Sequence, residues 1–500
     1  MSFVSALVSK LTWSFLWLLL AIGLVICLLL FVIPAIVSPL RSIPGPFLAR
    51  FTRLWYLRRT RLGQFHEDNI VLHRKYGPIV RIAPGQYSID DPEAIRTIYG
   101  HGTQFTKSDW YKASGSADPR VHDLFTEKDT KIHASLRRKV ANLYSTSTLV
   151  KLESHVDECI SLLFDRFSEI AAEGRRIDLQ FWMQCYAFDV IGSITCGERF
   201  GFLDTGEDQA GLFANLHRYL AYAASVGIMH ELHRVLFPIF LMAGSGGLVH
   251  MRKFTQEQIS KAKVRFQRDG KQTHGDFLSR MIKMNNDNPE GFTDRDLFMT
   301  AISNFGAGSD TTSISLCAVL YSLMISPHAL AKLRNEVKAV GGDEFIDYQT
   351  AQKMPYLQAC IKEAMRLHPA TGLPLSRVVP KQGAFIAGQT FPDGAIVGVN
   401  TWVAHRNTTV FGHDAEQFRP ERWLEASKEQ LSRMEEYYLP FGHGSRTCIG
   451  KNISLLEMSK LIPRLVTKFD LRLSDEKAKL ESQNVWFVKQ MNLICQVGKL

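Results

Sequence analysis

Phe441-Gly442-His443-Gly444-Ser445-Arg446-Thr447-Cys448-Ile449-Gly450 is the stretch on which the fold turns. Its three glycines leave the backbone free to take positive φ. They frame a single cysteine. Arg446 lies two residues before it, and a cation near a thiol favours the thiolate, the form that binds metal. Backbone N–H groups of such a turn also hydrogen-bond a sulfur ligand and tune its metal. From Asn452 onward, Ile453, Leu455, Leu456 and Met458 recur with helical spacing. Cys448 is therefore expected near a helix N-terminus, which stabilises negative charge.

Working back along the chain, Glu363 and Arg366 stand at i and i+3, on one face of a helix. Taken alone they make a common surface ion pair. Further upstream a long helix is expected to open at Thr293, with Asp296 three residues on completing a capping box. No proline interrupts it before Pro327, so it would be ~45 Å long and cross a whole domain. Gly306 and Gly308 fall inside it, and each costs up to ~1 kcal/mol relative to Ala. They serve either close helix packing or a flat face where a ligand approaches the backbone. Ala307-Gly308-Ser309-Asp310-Thr311-Thr312 sets a carboxylate beside a hydroxyl. Helical Ser and Thr often do no more than bond back to the i−4 carbonyl.

The cysteine loop resembles the haem-binding loop of the cytochrome P-450 superfamily, FxxGxRxCxG, at every fixed position. Glu363-Ala364-Met365-Arg366 resembles the family's ExxR helix. Phe418-Arg419-Pro420-Glu421-Arg422-Trp423 resembles its PERF-type stretch, with Trp423 in place of Phe. The resemblance runs from the proline-rich segment to about Val488. It implies a mainly α fold with small β-sheets, preceded here by one N-terminal transmembrane helix. It also implies haem b, with Cys448 as axial ligand to the iron and Phe441 and Gly442 within the haem loop. Arg422 would join Glu363 and Arg366 in a buried triad that fixes geometry more than it adds stability. Asp310 and Thr311 resemble the acid-alcohol pair that relays protons to bound O₂. Haem propionates need cationic donors, best met by Arg. The resemblance implies Arg446, Arg377 and Arg137 for that task, with His133 replacing the Trp of a WxxxR pair. The segment Phe105 to Tyr111 is similar to that of fungal microsomal members of the pisatin-demethylase kind.

The family reaction inserts one oxygen atom into an organic substrate and reduces the other to water. It implies an NADPH-cytochrome P-450 reductase as electron donor, with cytochrome b5 as a second one. Phe105 to Tyr111, Asn304, Phe305, Thr371 to Leu375 and Val485 to Phe487 would line the pocket. They are mostly apolar, which points to a lipophilic small-molecule substrate, in secondary metabolism or detoxification. Asn304 either orients a polar group of that substrate or is satisfied by a neighbour. Two other readings stay open: a haem-thiolate enzyme that dehydrates or isomerises without O₂, and a non-catalytic haem-binding membrane protein.

The chain's 500 residues are 46% hydrophobic and 22% charged, enough to bury a core around a cofactor. The net charge of +10 suits an acidic partner or anionic lipid. Nucleic acid is not expected, because no basic-aromatic cluster or zinc-ligand spacing is present. The eight cysteines include no CxxC pair and are expected as free thiols, Cys448 apart. Leu11 to Ile33 carry no charge and can span a hydrocarbon layer ~30 Å thick. Arg41, Arg50, Arg53, Arg58, Arg59 and Arg61 follow the span while only Lys10 precedes it, so the rest of the chain is expected in the cytosol. A single-pass protein of the endoplasmic reticulum membrane is the expectation. Pro34, Pro39, Pro44 and Pro46 read as a stiff elbow. Residues 1–40 are thus expected as anchor and elbow, and 41–500 as the catalytic domain. Short strands are expected at Ile79 to Ile82 and Gln86 to Ile89, and around Ser376 to Val399. Asp91 is expected to cap a helix with Pro92 at its first position.

Overall fold

A computed structural model describes all residues except 1–12, 14, 16, 24, 27, 117, 119, 243–245, 270–274, 342–345 and 476–478. At the start, α1 (Trp17–Val37) is long and apolar enough to cross a membrane, with a mean hydropathy of 3.1 and none of its described residues buried in the domain. Leu11 and Thr12, at the expected beginning of the span, lie outside the described residues. The helix does not end at Ile33. Pro34 sits in the first turn of Ile33–Val37, after a π-helical turn at Leu28–Val32. A proline costs least in a first helical turn, where its missing N–H has no partner to lose. The bend therefore begins at Ser38, and Pro34 is not part of it.

The strands β1 (Ile79–Ala83) and β2 (Gln86–Ile89) form the expected hairpin, turned by Gly85 at φ +68°. Asp91 accepts the N–H groups of Glu93 and Ala94, and Pro92 opens the next helix. After β3 (Thr106–Lys107) the chain becomes helical: α2 (Thr130–Val140), α3 (Glu153–Glu173) and α4 (Leu179–Cys196). Sixteen of the eighteen residues of α4 are buried, as befits a helix apolar on every side. Three more follow: α5 (Leu212–Ile228), α6 (His233–Met242) and α7 (Gly246–Asp269).

The long helix is α8 (Asp294–Met324). Thr293 and Asp296 form the predicted capping box, each side chain bonding the other's backbone N–H. Helix α9 (Pro355–Leu367) precedes β4 (Arg377–Val378) and β5 (Ile396–Val399). Helix α10 (Lys451–Lys468) follows the cysteine loop, and the hairpin β6 (Glu481–Val485) and β7 (Phe487–Met491) comes near the end. One sheet has five strands in the order β1-β2-β5-β4-β3, with β2 and β5 parallel and the other neighbours antiparallel. Its last pairing sets Lys107 opposite Arg377. The core lies between α4, α8, α9 and α10.

The two glycines of α8 do different work. A Cβ on Gly308 would come within 2.9 Å of Ile191 on α4, whereas one on Gly306 would meet only the Met251 sulfur, at 4.0 Å. Gly308 is thus a packing glycine. The flat, ligand-facing surface considered for this position is not what it provides.

Candidate active site

The loop before α10 closes on itself when the Cys448 N–H donates to the Phe441 carbonyl at 2.8 Å. Gly442 and Gly444 hold φ of +71° and +65°. Gly444 also lies against the Tyr99 carbonyl, where no side chain fits. The N–H groups of Gly450 and Lys451, at the start of α10, point at the Cys448 sulfur. Of the seven described cysteines six are buried, and Cys448 alone is exposed. It is nevertheless deep in the domain, where burial pushes its thiol up. An accessible sulfur in such a place faces an internal hollow. The Gly450 N–H, then Arg137, then the N–H and ammonium of Lys451 pull the thiol back towards ionisation.

Arg446 is not among those cations, contrary to its expected effect on the thiol. Its guanidinium donates to the carbonyls of Glu127 and Lys128. It belongs instead to a cluster centred on His133. Burial pushes His133 down to about 3, helped by Arg446, Lys107, Arg137 and Arg377. Arg446 is itself pushed down to about 10 by burial and by Arg377. Arg377 lies over the rings of Tyr99 and Tyr111 and donates to the Ser376 carbonyl at 3.0 Å. Arg137 donates to the Thr447 carbonyl at 2.8 Å. All four expected propionate contacts are therefore brought together.

Lys107 is the member that sequence reading passed over, since it lies within a segment read only as pocket wall. It is 6% exposed, donates to the Phe125 carbonyl and packs on Tyr111 and Phe125. Burial and the neighbouring Arg377 and Arg446 lower its pKa well below the ordinary lysine value. Buried cations that depress one another call for an anion. A dicarboxylate of the haem-propionate kind fits this donor set, and the accessible Cys448 fits an iron ligand.

The triad forms as predicted. Glu363 accepts from Arg366 at 2.8 and 2.9 Å and from Arg422 at 3.2 Å. The indole N–H of Trp423 adds a further bond at 2.9 Å. The substitution of Trp for Phe thus gives the carboxylate another donor. Glu363 and Arg366 are wholly buried, so the pair is no surface ion pair.

On α8, the Thr311 hydroxyl donates to the Ala307 carbonyl at 2.8 Å, the i−4 bond open to any helical threonine. Its oxygen keeps free acceptor capacity. Asp310 is buried and turned towards α4, where it accepts from the Gln184 amide. Asn304 is spoken for: it accepts from Tyr144 at 2.6 Å and donates to Thr195 at 3.2 Å. Satisfaction by neighbours is therefore its role. Phe305 is buried among Phe200 and Phe254. With Phe202, Gln209, Leu212 and Met251 they line a cavity of about 50 Å³.

The other expected walls do converge. The Gly372 N–H donates to Trp486 at 2.9 Å, and Trp110 stacks edge-on against Trp486 at 4.9 Å. Trp486, at the tip between β6 and β7, has φ +86°, a strained setting for a bulky residue. Asn484 steadies it by accepting its N–H at 3.0 Å.

Comparison with known proteins agrees with this geometry. The cytochrome P450 family model matches residues 44–494. Pisatin demethylase of Fusarium vanettenii is 38% identical over 492 residues, covering 97% of this chain and 94% of that protein. A cytochrome P450 monooxygenase of Aspergillus terreus is 37% identical, over 88% of this chain and 93% of its own length. The cytochrome P450 monooxygenase cicH of Emericella nidulans is 36% identical, over 90% and 92%. The fungal likeness expected from Phe105 to Tyr111 is borne out.

Proposed function

Since this chain belongs to the cytochrome P450 family, we propose that it is a membrane-anchored haem-thiolate monooxygenase in which Cys448 would bind the haem iron. Its family makes it an oxidoreductase that incorporates molecular oxygen and binds haem iron through a cysteine. The carrying observation is that Cys448 alone among the described cysteines is accessible, at a helix N-terminus that directs two N–H groups at its sulfur.

A haem held by Cys448 would supply O₂ binding and activation. Lys107, Arg377, Arg446, Arg137 and His133 are the groups that would hold its propionates. Thr311 accepts and passes a proton at its hydroxyl oxygen, and Asp310 is the carboxyl that feeds it. The hydroxyl's bond to Ala307 fixes its rotamer and leaves the oxygen free for this task. Trp110, Trp486 and Phe487 form an aromatic wall that excludes water and favours a lipophilic substrate. Loss of a methyl group, as the name of the Fusarium relative suggests, is the first outcome to test. Secondary metabolism or detoxification is the setting that accords with such a substrate.

Residues 1–40 serve as anchor and elbow, and 41–500 as the catalytic domain. The membrane is that of the endoplasmic reticulum, with the catalytic domain in the cytosol. Besides α1, helix α6 exposes Val235, Ile239 and Met242, and Leu232 just before it is also exposed. Arg53 links this region to the elbow side through Glu231 at 3.0 Å and the Ile228 carbonyl at 3.0 Å. Exposed Phe47 and Leu48 precede that arginine, so both apolar sets suit a lipid surface. Electrons come from NADPH through a reductase, with cytochrome b5 as a second donor. The net charge of +10 favours docking of such acidic partners.

The test is expression with a reductase and a panel of lipophilic metabolites, with product analysis. The reduced carbon monoxide complex should show the red-shifted thiolate band, and Cys448→Ser should lose it. A haem-loaded protein without that band would refute the ligand assignment. Full NADPH-dependent product formation by Thr311→Ala would refute the relay, and full product formation without NADPH or O₂ would favour the reading without O₂.

A further inference from the structure

Asp310 is 4% exposed, and burial disfavours the charged form of a carboxyl. A relay acid must both release and regain its proton, so something has to offset the burial. The Asp310 carboxyl accepts from the side-chain amide of Gln184, itself 1% exposed on α4. The carbonyl end of that amide accepts from the Lys489 ammonium on β7 at 2.6 Å. The amide is thereby fixed at both ends, with its NH₂ directed at the carboxylate and its oxygen at the ammonium. Lys489 lies on the hairpin near the end of the chain, is half-buried, and turns its ammonium inward onto this buried amide.

We propose that Lys489 and Gln184 are positioning residues for Asp310, holding an ionised carboxylate on α8 one residue before Thr311. This rests on the reading of Asp310 and Thr311 as the relay pair. Burial raises the Asp310 pKa, and Lys489 is the charged group that opposes it, ahead of the Gln184 hydrogen bond. The other titratable groups in the field of Lys489 are Asp178 ahead of α4, Cys185 on α4, His217 on α5 and Cys317 on α8. Asp178 caps α4 by accepting the N–H groups of Gln180 and Phe181. Lys489 is thus placed between two carboxylates and bonds directly to the amide that serves one of them.

The experiment titrates the infrared carboxylic-acid band of Asp310 in the haem-loaded, full-length protein, assigned as the band that Asp310→Asn removes. Lys489→Met should raise its midpoint by about one pH unit, the size of shift one nearby opposite charge produces. Lys489→Arg should restore it. Gln184→Leu should also raise it, and gives a second route if Lys489→Met does not fold. The thiolate band of the carbon monoxide complex, kept in every variant used, shows that the haem site is intact. A midpoint unmoved by Lys489→Met or by Gln184→Leu in protein that keeps that band overturns the proposal. The relay reading is judged separately, by product formed per NADPH in Asp310→Asn. If that ratio stays unchanged while the midpoint still moves, the relay fails and the positioning stands.

Discussion

Lys107 and Arg377 stand directly opposite each other on the antiparallel strands β3 and β4. Like charges so paired destabilise a sheet, and Arg446 adds a third cation acting on the same lysine. The arrangement makes sense if a dianion lies between them. A charge-assisted hydrogen bond is worth about 1.5–3 kcal/mol. Lys107→Met should therefore release haem to an apoglobin acceptor roughly tenfold faster or more, and Lys107→Arg should behave much as the native chain. An unchanged release rate in Lys107→Met would remove Lys107 from the propionate site. The apoprotein should respond in the opposite sense, because the variant relieves a repulsion. Its urea midpoint should rise.

The indole of Trp423 and the guanidinium of Arg422 both serve Glu363, but their loss should differ in kind. Trp423→Phe removes one neutral donor from an oxygen that still accepts from Arg366. It should cost about 1 kcal/mol. Arg422→Met takes a charge from a wholly buried carboxylate and also leaves Asp414, its partner at 2.6 Å, with Arg419 as its remaining arginine. Breaking such a pair costs about 3–5 kcal/mol. Urea denaturation of the haem-loaded protein gives the ranking, and equal losses would mean that Trp423 holds Glu363 as firmly as Arg422 does.

Much of this site was legible because its chemistry is local in sequence. The cysteine loop carries its glycines and its helix start within a few residues, and the capping box at Thr293 and Asp296 is three residues wide. What sequence could not give was direction. Gly306 and Gly308 are two residues apart, but the helix turns one into open space and the other against Ile191. Asn304 reads as a pocket residue until Tyr144 and Thr195, each more than a hundred positions away, are found to satisfy it. Lys107 was hidden for the same reason. Its importance comes from a strand pairing with Arg377, and a two-residue strand leaves almost no periodic signal. Arg446 was misjudged because nearness in sequence to Cys448 says nothing of where a long side chain ends.

His405 links stability to pH. Its Nδ1–H donates to the Arg366 carbonyl at 3.0 Å, and its Nε2 accepts the Leu439 N–H at 2.8 Å. The second bond requires the neutral ring, because a protonated Nε2 cannot accept. Burial, with Arg366 nearby, lowers its pKa from 6.5 to about 3. Between those values the unfolded chain binds the proton and the folded chain does not, so stability falls as pH drops from about 6.5 towards 3. Each such proton contributes a slope of about 1.4 kcal/mol per pH unit. Urea unfolding of the native chain between pH 7.5 and 5 should show this decline. His405→Gln should be less stable at pH 7.5 but lose stability less steeply, by about one proton. A parallel decline in the two proteins would show that His405 does not titrate on unfolding.

The contrast between Gly306 and Gly308 tests the packing of α8 on α4. With only the Met251 sulfur near a Cβ, Gly306→Ala should gain up to about 1 kcal/mol of helix propensity. Gly308→Ala gains the same propensity but drives a methyl to 2.9 Å from Cγ1 and 3.2 Å from Cδ1 of Ile191. Overpacking of this kind costs about 1–3 kcal/mol, so the net effect should be destabilising. Ile191→Ala removes both of the crowding atoms at the expense of a cavity. The double variant should then cost less than the sum of the two single changes, since neighbours in contact couple. Thermal unfolding of the four proteins measures that coupling. Strict additivity would mean that Gly308 and Ile191 do not press on each other, and that the glycine faces something other than α4.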